Sequence, residues 1–211
     1  MADFIQGASL RELLDEEGFL DPVRLRRIFL MLARYHFSSS GNYIDPELSD
    51  IVYDDDNQKS TLDIDLDFTY DSEEIGRKPS IYIGTAPFQF QKQVVDNFSE
   101  VSEDRSIVAS TTQCSSALSI RHITTAADLS LSLATQSLNF FGTLRPYILA
   151  ELPGILAYEV SQLAPPAMVE DTKIRVFQSN VEIKLAFNTM WLSYIESLRI
   201  KNIMFRGHPK E

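Results

Sequence analysis

Three aspartates are the side chains of this chain whose type and spacing come closest to a catalytic group. Asp63, Asp65 and Asp67 stand at every second position of the stretch 62–70, and apolar residues fill most of the positions between them. This alternation predicts a strand with one buried face and one acidic face. Carboxylates about 7 Å apart on a strand could bind Mg²⁺ or Ca²⁺, so a metal-dependent hydrolase is one alternative. The glycine and terminal glutamate of a calcium-binding loop are missing, and we favour a solvent-facing acidic surface without a metal.

The remaining polar groups give weaker indications of a catalytic or binding site. Asp54-Asp55-Asp56 is an acidic run in a loop-like segment, and His36, His122 and His208 are widely separated. His122 falls at a strand-to-helix junction, where an imidazole commonly bonds a backbone group. The chain has no glycine-rich phosphate-binding motif and no nucleophile elbow. We therefore predict a protein that is not an enzyme, with no catalytic, cofactor-binding or metal-binding residues.

Charge and cysteine content narrow the class further. The 211 residues include 19 basic and 30 acidic side chains, a net charge of −11, which argues against a surface that holds the nucleic acid backbone. The lone Cys114 fits a reducing compartment. We see no signal peptide and no apolar run long enough for a membrane span, so we expect folding in the cytoplasm.

The elements that would position these residues begin with a helix at about 22–37. Asp21 followed by Pro22 is a preferred helix start, and apolar residues then recur at three- and four-residue steps. Strands are predicted at 62–70, at 80–85, where Gly84 permits a bulge, at 114–123, at 155–163 and at 174–189, with a polar connection at 99–106.

A longer helix at about 125–141 is predicted between the third and fourth of these strands. Its apolar stripe contains Leu131, Leu138 and Phe141, which we expect to pack on the sheet. Gly142 should interrupt this helix, and Pro146 should restart a short one. The fold class is therefore α+β, a mixed and mostly antiparallel sheet packed by one long helix. We assign 1–20 to an N-terminal arm, 21–191 to a single domain and 192–211 to a C-terminal extension.

This order of elements resembles the ring proteins at the neck of tailed bacteriophages, above all the tail terminators. The resemblance covers about residues 22–190. The arm, the tail after Thr189 and the acidic first strand depart from it. It is carried by Leu118-Ser119-Ile120-Arg121-His122-Ile123, the helix from Ala126 to Phe141, Leu144-Arg145-Pro146-Tyr147-Ile148, the strands Ile155–Leu163 and Val176–Phe187, and the front-end residues His36-Phe37 and Asp45-Pro46-Glu47-Leu48.

The resemblance implies a structural virion protein, assembled in the host cytoplasm, that forms a hexameric ring. It would cap the tail tube protein and join it to the head-side connector or stopper protein, while genomic DNA passes through without specific binding and no membrane is involved. Asp63, Asp65 and Asp67 would then face the channel. A head-completion (stopper) protein of the same neck is the alternative within this class, and the hydrolase is the alternative from another class.

Overall fold

The computed structural model describes residues 22–67, 78–90, 98–101, 107–152, 154–169 and 175–194. Two α-helices, two short 3-10 helices and seven strands lie in this part of the chain. In chain order they are α1 (Pro22–Phe37), the 3-10 helices Ser40–Asn42 and Pro46–Leu48, β1 (Asp63–Leu66), β2 (Ser80–Thr85), β3 (Gln89–Phe90), β4 (Phe98–Val101), β5 (Ile107–Thr124), α2 (Ala127–Glu151), β6 (Ile155–Met168) and β7 (Phe177–Tyr194).

The strands form one mixed sheet in the order β1-β2-β5-β7-β6, and β3 and β4 also pair with β5. β1 runs parallel to β2, and the other pairs are antiparallel. This arrangement confirms the α+β class with a mostly antiparallel sheet. The expected arm at 1–20 lies outside the described residues.

Both helices pack on one face of the sheet and share a single core. Phe29 of α1 lies 5.7 Å from Phe141 of α2 and 6.1 Å from Tyr158 of β6, measured between ring centroids. The Tyr158 hydroxyl donates to the Phe141 carbonyl at 3.0 Å, so the burial of this ring leaves its polar end bonded. The predicted helix at 22–37 is confirmed, and its apolar face is buried through Leu25, Ile28, Phe29, Leu32 and Ala33.

The second helix differs from the prediction in length. It runs without a break from Ala127 to Glu151 and contains Pro146 in its interior. Glycine costs a helix only about 1 kcal/mol relative to alanine, and Gly142 is exposed. Because Leu144 and Ile148 continue the buried face beyond that point, tertiary packing holds the helix together where local preference would end it.

The buried face of α2 also differs from the predicted stripe. Leu131 is 37 % exposed, Leu138 is only partly buried, and Phe141 is fully buried. The face that meets the sheet includes Leu133, which belongs to the wider predicted stripe, together with Ser130 and Ser137, which are both 0 % exposed. A stripe drawn through apolar residues misplaced the contact because two buried serines occupy its centre.

The long strands extend further than predicted. β5 and β7 each contain 18 residues and pair along their whole length, and β4 occupies part of the expected polar connection. β7 also continues through residue 192, where the C-terminal extension was expected to start. β6 continues through Pro165 and Pro166, because it is an outermost strand and its register shifts between Ala164 and Ala167.

Within the described part of the chain, neither helix is long and apolar enough to cross a membrane.

Candidate functional site

The aspartate strip, defined as Asp63, Asp65 and Asp67, begins on β1 at one end of the sheet. Along β1, buried Ile64 and Leu66 alternate with the half-exposed aspartates, which confirms the predicted alternation for this strand. Residues 68–70 of the predicted strand lie outside the described ranges. The strip therefore occupies the sheet face that points away from the two helices.

Each carboxylate of the strip faces a cation from a different element. Lys78 Nζ lies 3.8 Å from Asp63 Oδ1, and Arg34 Nη2 lies 3.9 Å from Asp65 Oδ1. Arg121 of β5 is in direct contact with Asp67. The three negative charges are thus balanced by three positive ones, a pairing that spacing along the sequence did not reveal.

Arg34 connects helix α1 to the edge of the sheet. Its Nε and Nη2 groups donate to the Ile64 carbonyl at 3.1 and 2.9 Å. Its guanidinium carbon also lies 5.2 Å from the centroid of the Tyr53 ring. The guanidinium fork therefore bonds a backbone acceptor of the outermost strand and stacks on an aromatic ring, two roles that arginine performs better than lysine.

Gly84 provides the space in which Asp67 meets Arg121. A Cβ atom at this position would collide with the Asp67 carboxylate. β2 pairs with β5 in unbroken register through Gly84, so the bulge that this glycine would permit does not form. The glycine is needed for the close approach of a side chain, and Asp67 can reach across β2 to β5. Burial lowers the pKa of Arg121 from its ordinary value.

A cleft of about 280 Å³ lies between β1 and the acidic loop. Arg34, Tyr53 and carboxylates of both the loop and the strip line it. The loop aspartates mainly bond their own backbone: Asp54 Oδ1 accepts from the Asp56 N–H at 2.8 Å, and Asp56 Oδ1 accepts from the Gln58 N–H at 3.1 Å. Among the described residues, no three His, Cys, Asp or Glu side chains are grouped so that they could hold a metal ion. The metal-dependent hydrolase thus gains no geometric support there.

Two of the three histidines are buried among polar partners, and the backbone bond expected for His122 is present; His208 lies beyond the described ranges. His122 is 0 % exposed. Its Nδ1 lies 3.4 Å from the Ser179 carbonyl and its Nε2 lies 2.7 Å from Ser137 Oγ. Because a carbonyl can only accept, Nδ1 carries the proton and Nε2 accepts from the serine. Burial lowers the pKa of His122 to about 3.

His36, near the end of α1, is buried among polar partners as His122 is. Its Nε2 lies 2.8 Å from Gln136 Nε2, while Gln136 Oε1 accepts from the Ile44 N–H at 2.9 Å. The amide nitrogen must therefore donate to His36, which has to be neutral to accept, and burial lowers the pKa of His36 to about 4. Both histidines hold α2 against its neighbours and are closed to substrates.

No protein-family model matches the chain, and no curated protein is significantly similar to it. The geometry of the fold and of the aspartate strip is therefore the basis of the functional proposal.

Proposed function

We propose that the chain is a structural subunit of a tailed-bacteriophage neck, a ring-forming tail terminator that caps the tail tube and joins it to the head-side connector. One observation carries this proposal. An 18-residue strand, a 25-residue helix and a hairpin that ends in another 18-residue strand follow one another as β5, α2, β6 and β7. This is the strand, long helix and terminal hairpin on which the resemblance to tail terminators rests.

The charge arrangement of the strip supports a passive role toward DNA. Arg34 and Arg121 already contact carboxylates, and Arg34 also bonds a backbone carbonyl. Cations held in this way are poorly placed to replace the counterions of a phosphate backbone, which is the main source of non-specific DNA affinity. In the proposed ring the aspartate strip faces the channel, and genomic DNA moves past it without being held.

Electron microscopy tests the proposal in two steps. Negative-stain images of the purified protein should show closed rings, hexameric by the resemblance. A reconstruction of the virion that carries the protein should then place the ring between the tail tube and the head-side connector. A position one level higher, against the portal, would favour the stopper alternative, and a position outside the neck would refute both.

A further inference from the structure

The far end of the sheet is a narrow extension of three strands. β6 pairs with β7 only from Phe177 to Phe187, whereas β5 pairs with β7 as far as Tyr194. On the other side of β5, β4 pairs with residues 108–111. In the described part of the chain, the sheet beyond residue 187 therefore consists of β4, β5 and β7, which we call the extension (98–101, 107–113 and 188–194).

One edge of the extension is a row of backbone groups on β7. The Asn188 N–H donates to the Gly154 carbonyl at 2.9 Å, on the side where β6 lies. Because backbone groups alternate along a strand, the N–H and C=O groups of Met190, Leu192 and Tyr194 point to the same side. In the ranges that the structure describes, no strand pairs with them there.

This edge lacks the features that keep other edges of the sheet from pairing. β6 has two prolines and three register shifts. On β1, the Ile64 carbonyl already accepts hydrogen bonds from the Arg34 side chain. Residues 189–194, by contrast, read Thr-Met-Trp-Leu-Ser-Tyr and contain no charge, proline or glycine. An uncharged, β-prone edge of this length is a template for another strand.

We propose that β7 of one copy pairs with β4 of a second copy, so that the extension joins neighbouring subunits into a continuous sheet. The two edges lie at the same level, because Val101 pairs with Val108 and Val108 pairs with Ser193. A rotation about an axis along the strands brings β4 of the next copy beside β7 without a shift, which is the condition for a ring to close. The junction is parallel, since β4 and β7 are both antiparallel to β5. This inference rests on the proposed ring and identifies the surface that builds it.

Cysteine pairing tests the junction directly. In Val101→Cys/Ser193→Cys the two positions of one chain are separated by β5, about 10 Å apart, which is beyond the roughly 7 Å reach of a disulfide. A bond between them must therefore join two copies. Mild oxidation should produce a ladder of covalent oligomers that ends at one closed species and disappears on reduction. Each single variant serves as the matched control. It also shows whether the buried Cys114 forms a disulfide with the one new thiol.

Two outcomes overturn the inference. Dimers formed by Ser193→Cys alone would mean that β7 pairs with β7 of a two-fold partner. A chain that stays monomeric and forms no disulfide up to its solubility limit would mean that neither edge is used.

A second pair of variants keeps the test independent of the thiols. Leu192→Pro removes a donor that points to the open edge and spares the bonds to β5, whereas Leu192→Val keeps that donor. The proline variant should lose the oligomer by native mass spectrometry while it still melts cooperatively, and the valine variant should keep it; oligomers in both would contradict the junction.

Rings that form through this junction but lie outside the virion neck would refute the proposed function alone. A neck ring without the disulfide ladder would refute the junction alone.

Discussion

Asp67 reaches Arg121 by crossing strand β2 at its glycine. The carboxylate contacts the guanidinium directly, and it lies where a side chain of residue 84 would otherwise stand. The residue that follows β1 is thus connected to β5, across β2, by one ion pair. This relationship explains a glycine inside an otherwise regular strand pairing.

Gly84→Ala should therefore act through Asp67. The new methyl group must displace the carboxylate and break its contact with Arg121, and we expect a loss of about 1–3 kcal/mol in the free energy of unfolding. Denaturant titrations of Gly84→Ala, Asp67→Ala and the double variant measure the coupling. The alanine at 84 should cost much less when Asp67 is already truncated. An equal cost in both backgrounds would show that the carboxylate is not what the methyl group meets.

Neutralising the strip should leave the charges of its three cations unbalanced. Repulsion among three neighbouring carboxylates would by itself predict that replacing Asp63, Asp65 and Asp67 by Asn leaves folding intact or slightly improves it. Because each carboxylate faces a cation, we now expect a small loss of stability, within about 1 kcal/mol for each half-exposed pair. We also expect a gain in salt-dependent DNA retention, since the positive charges of Arg34, Lys78 and Arg121 are then no longer balanced by the strip.

The matched control for that experiment is Asp54, Asp55 and Asp56 changed to Asn. It removes the same number of charges from the loop. If both triple variants gain the same DNA affinity in filter binding at several salt concentrations, net charge alone is responsible and the ion pairs of the strip do not matter.

Two leucines of α2 test which face of the helix meets the sheet. Leu133 is 0 % exposed, so Leu133→Ala should cost about 2–5 kcal/mol through lost burial and a residual cavity. Leu131→Ala is the control on the neighbouring face and should cost less than about 1 kcal/mol. Denaturant melts that rank the two variants in the opposite order would mean that the predicted stripe, and not the structure, describes the packing.

Both buried histidines should make stability fall in mild acid. Their pKa values drop from the ordinary 6.5 to about 4 for His36 and about 3 for His122, so protons bind the unfolded chain first. The contribution of the two neutral histidines to the free energy of unfolding is complete above pH 6.5. It is lost as the pH falls from there to about 4 for His36 and to about 3 for His122. Each histidine can contribute up to about 1.4 kcal/mol per pH unit in this window.

Unfolding measured at pH 7 and at pH 5 isolates this effect, since most carboxylates are still ionised in that range. His36→Gln should show a shallower pH dependence than the unmodified chain. An unchanged slope would mean that His36 is protonated or solvent-exposed in the folded state.

The parts of the fold that follow from local pattern were predictable. Helix α1 was visible from the Asp21-Pro22 start and its apolar spacing, and the alternation of β1 from its aspartates. Helix α2 was predicted too short because the local costs of Gly142 and Pro146 are visible in sequence, whereas the packing of Leu144 and Ile148 depends on strands elsewhere in the chain.

The candidate site was only half predictable for the same reason. The spacing of Asp63, Asp65 and Asp67 places them together on one face. Their partners Arg34, Lys78 and Arg121 come from a helix, a loop and a distant strand, and only the sheet order brings them near. The role of Gly84 likewise has no local signal in the sequence, because the carboxylate that it accommodates belongs to Asp67, which follows β1.

The two prolines in β6 limit where a further strand can join the sheet. Neither proline has an N–H to donate, and the register shifts around them interrupt the regular row of donors along that border. The border along β6 is thus closed to a further strand, and on this side of the sheet strand addition is confined to β7 beyond residue 187. Copies that associate through β7 and β4 extend the sheet only from neighbour to neighbour, because β6 offers no regular row of donors from which a fibre could branch.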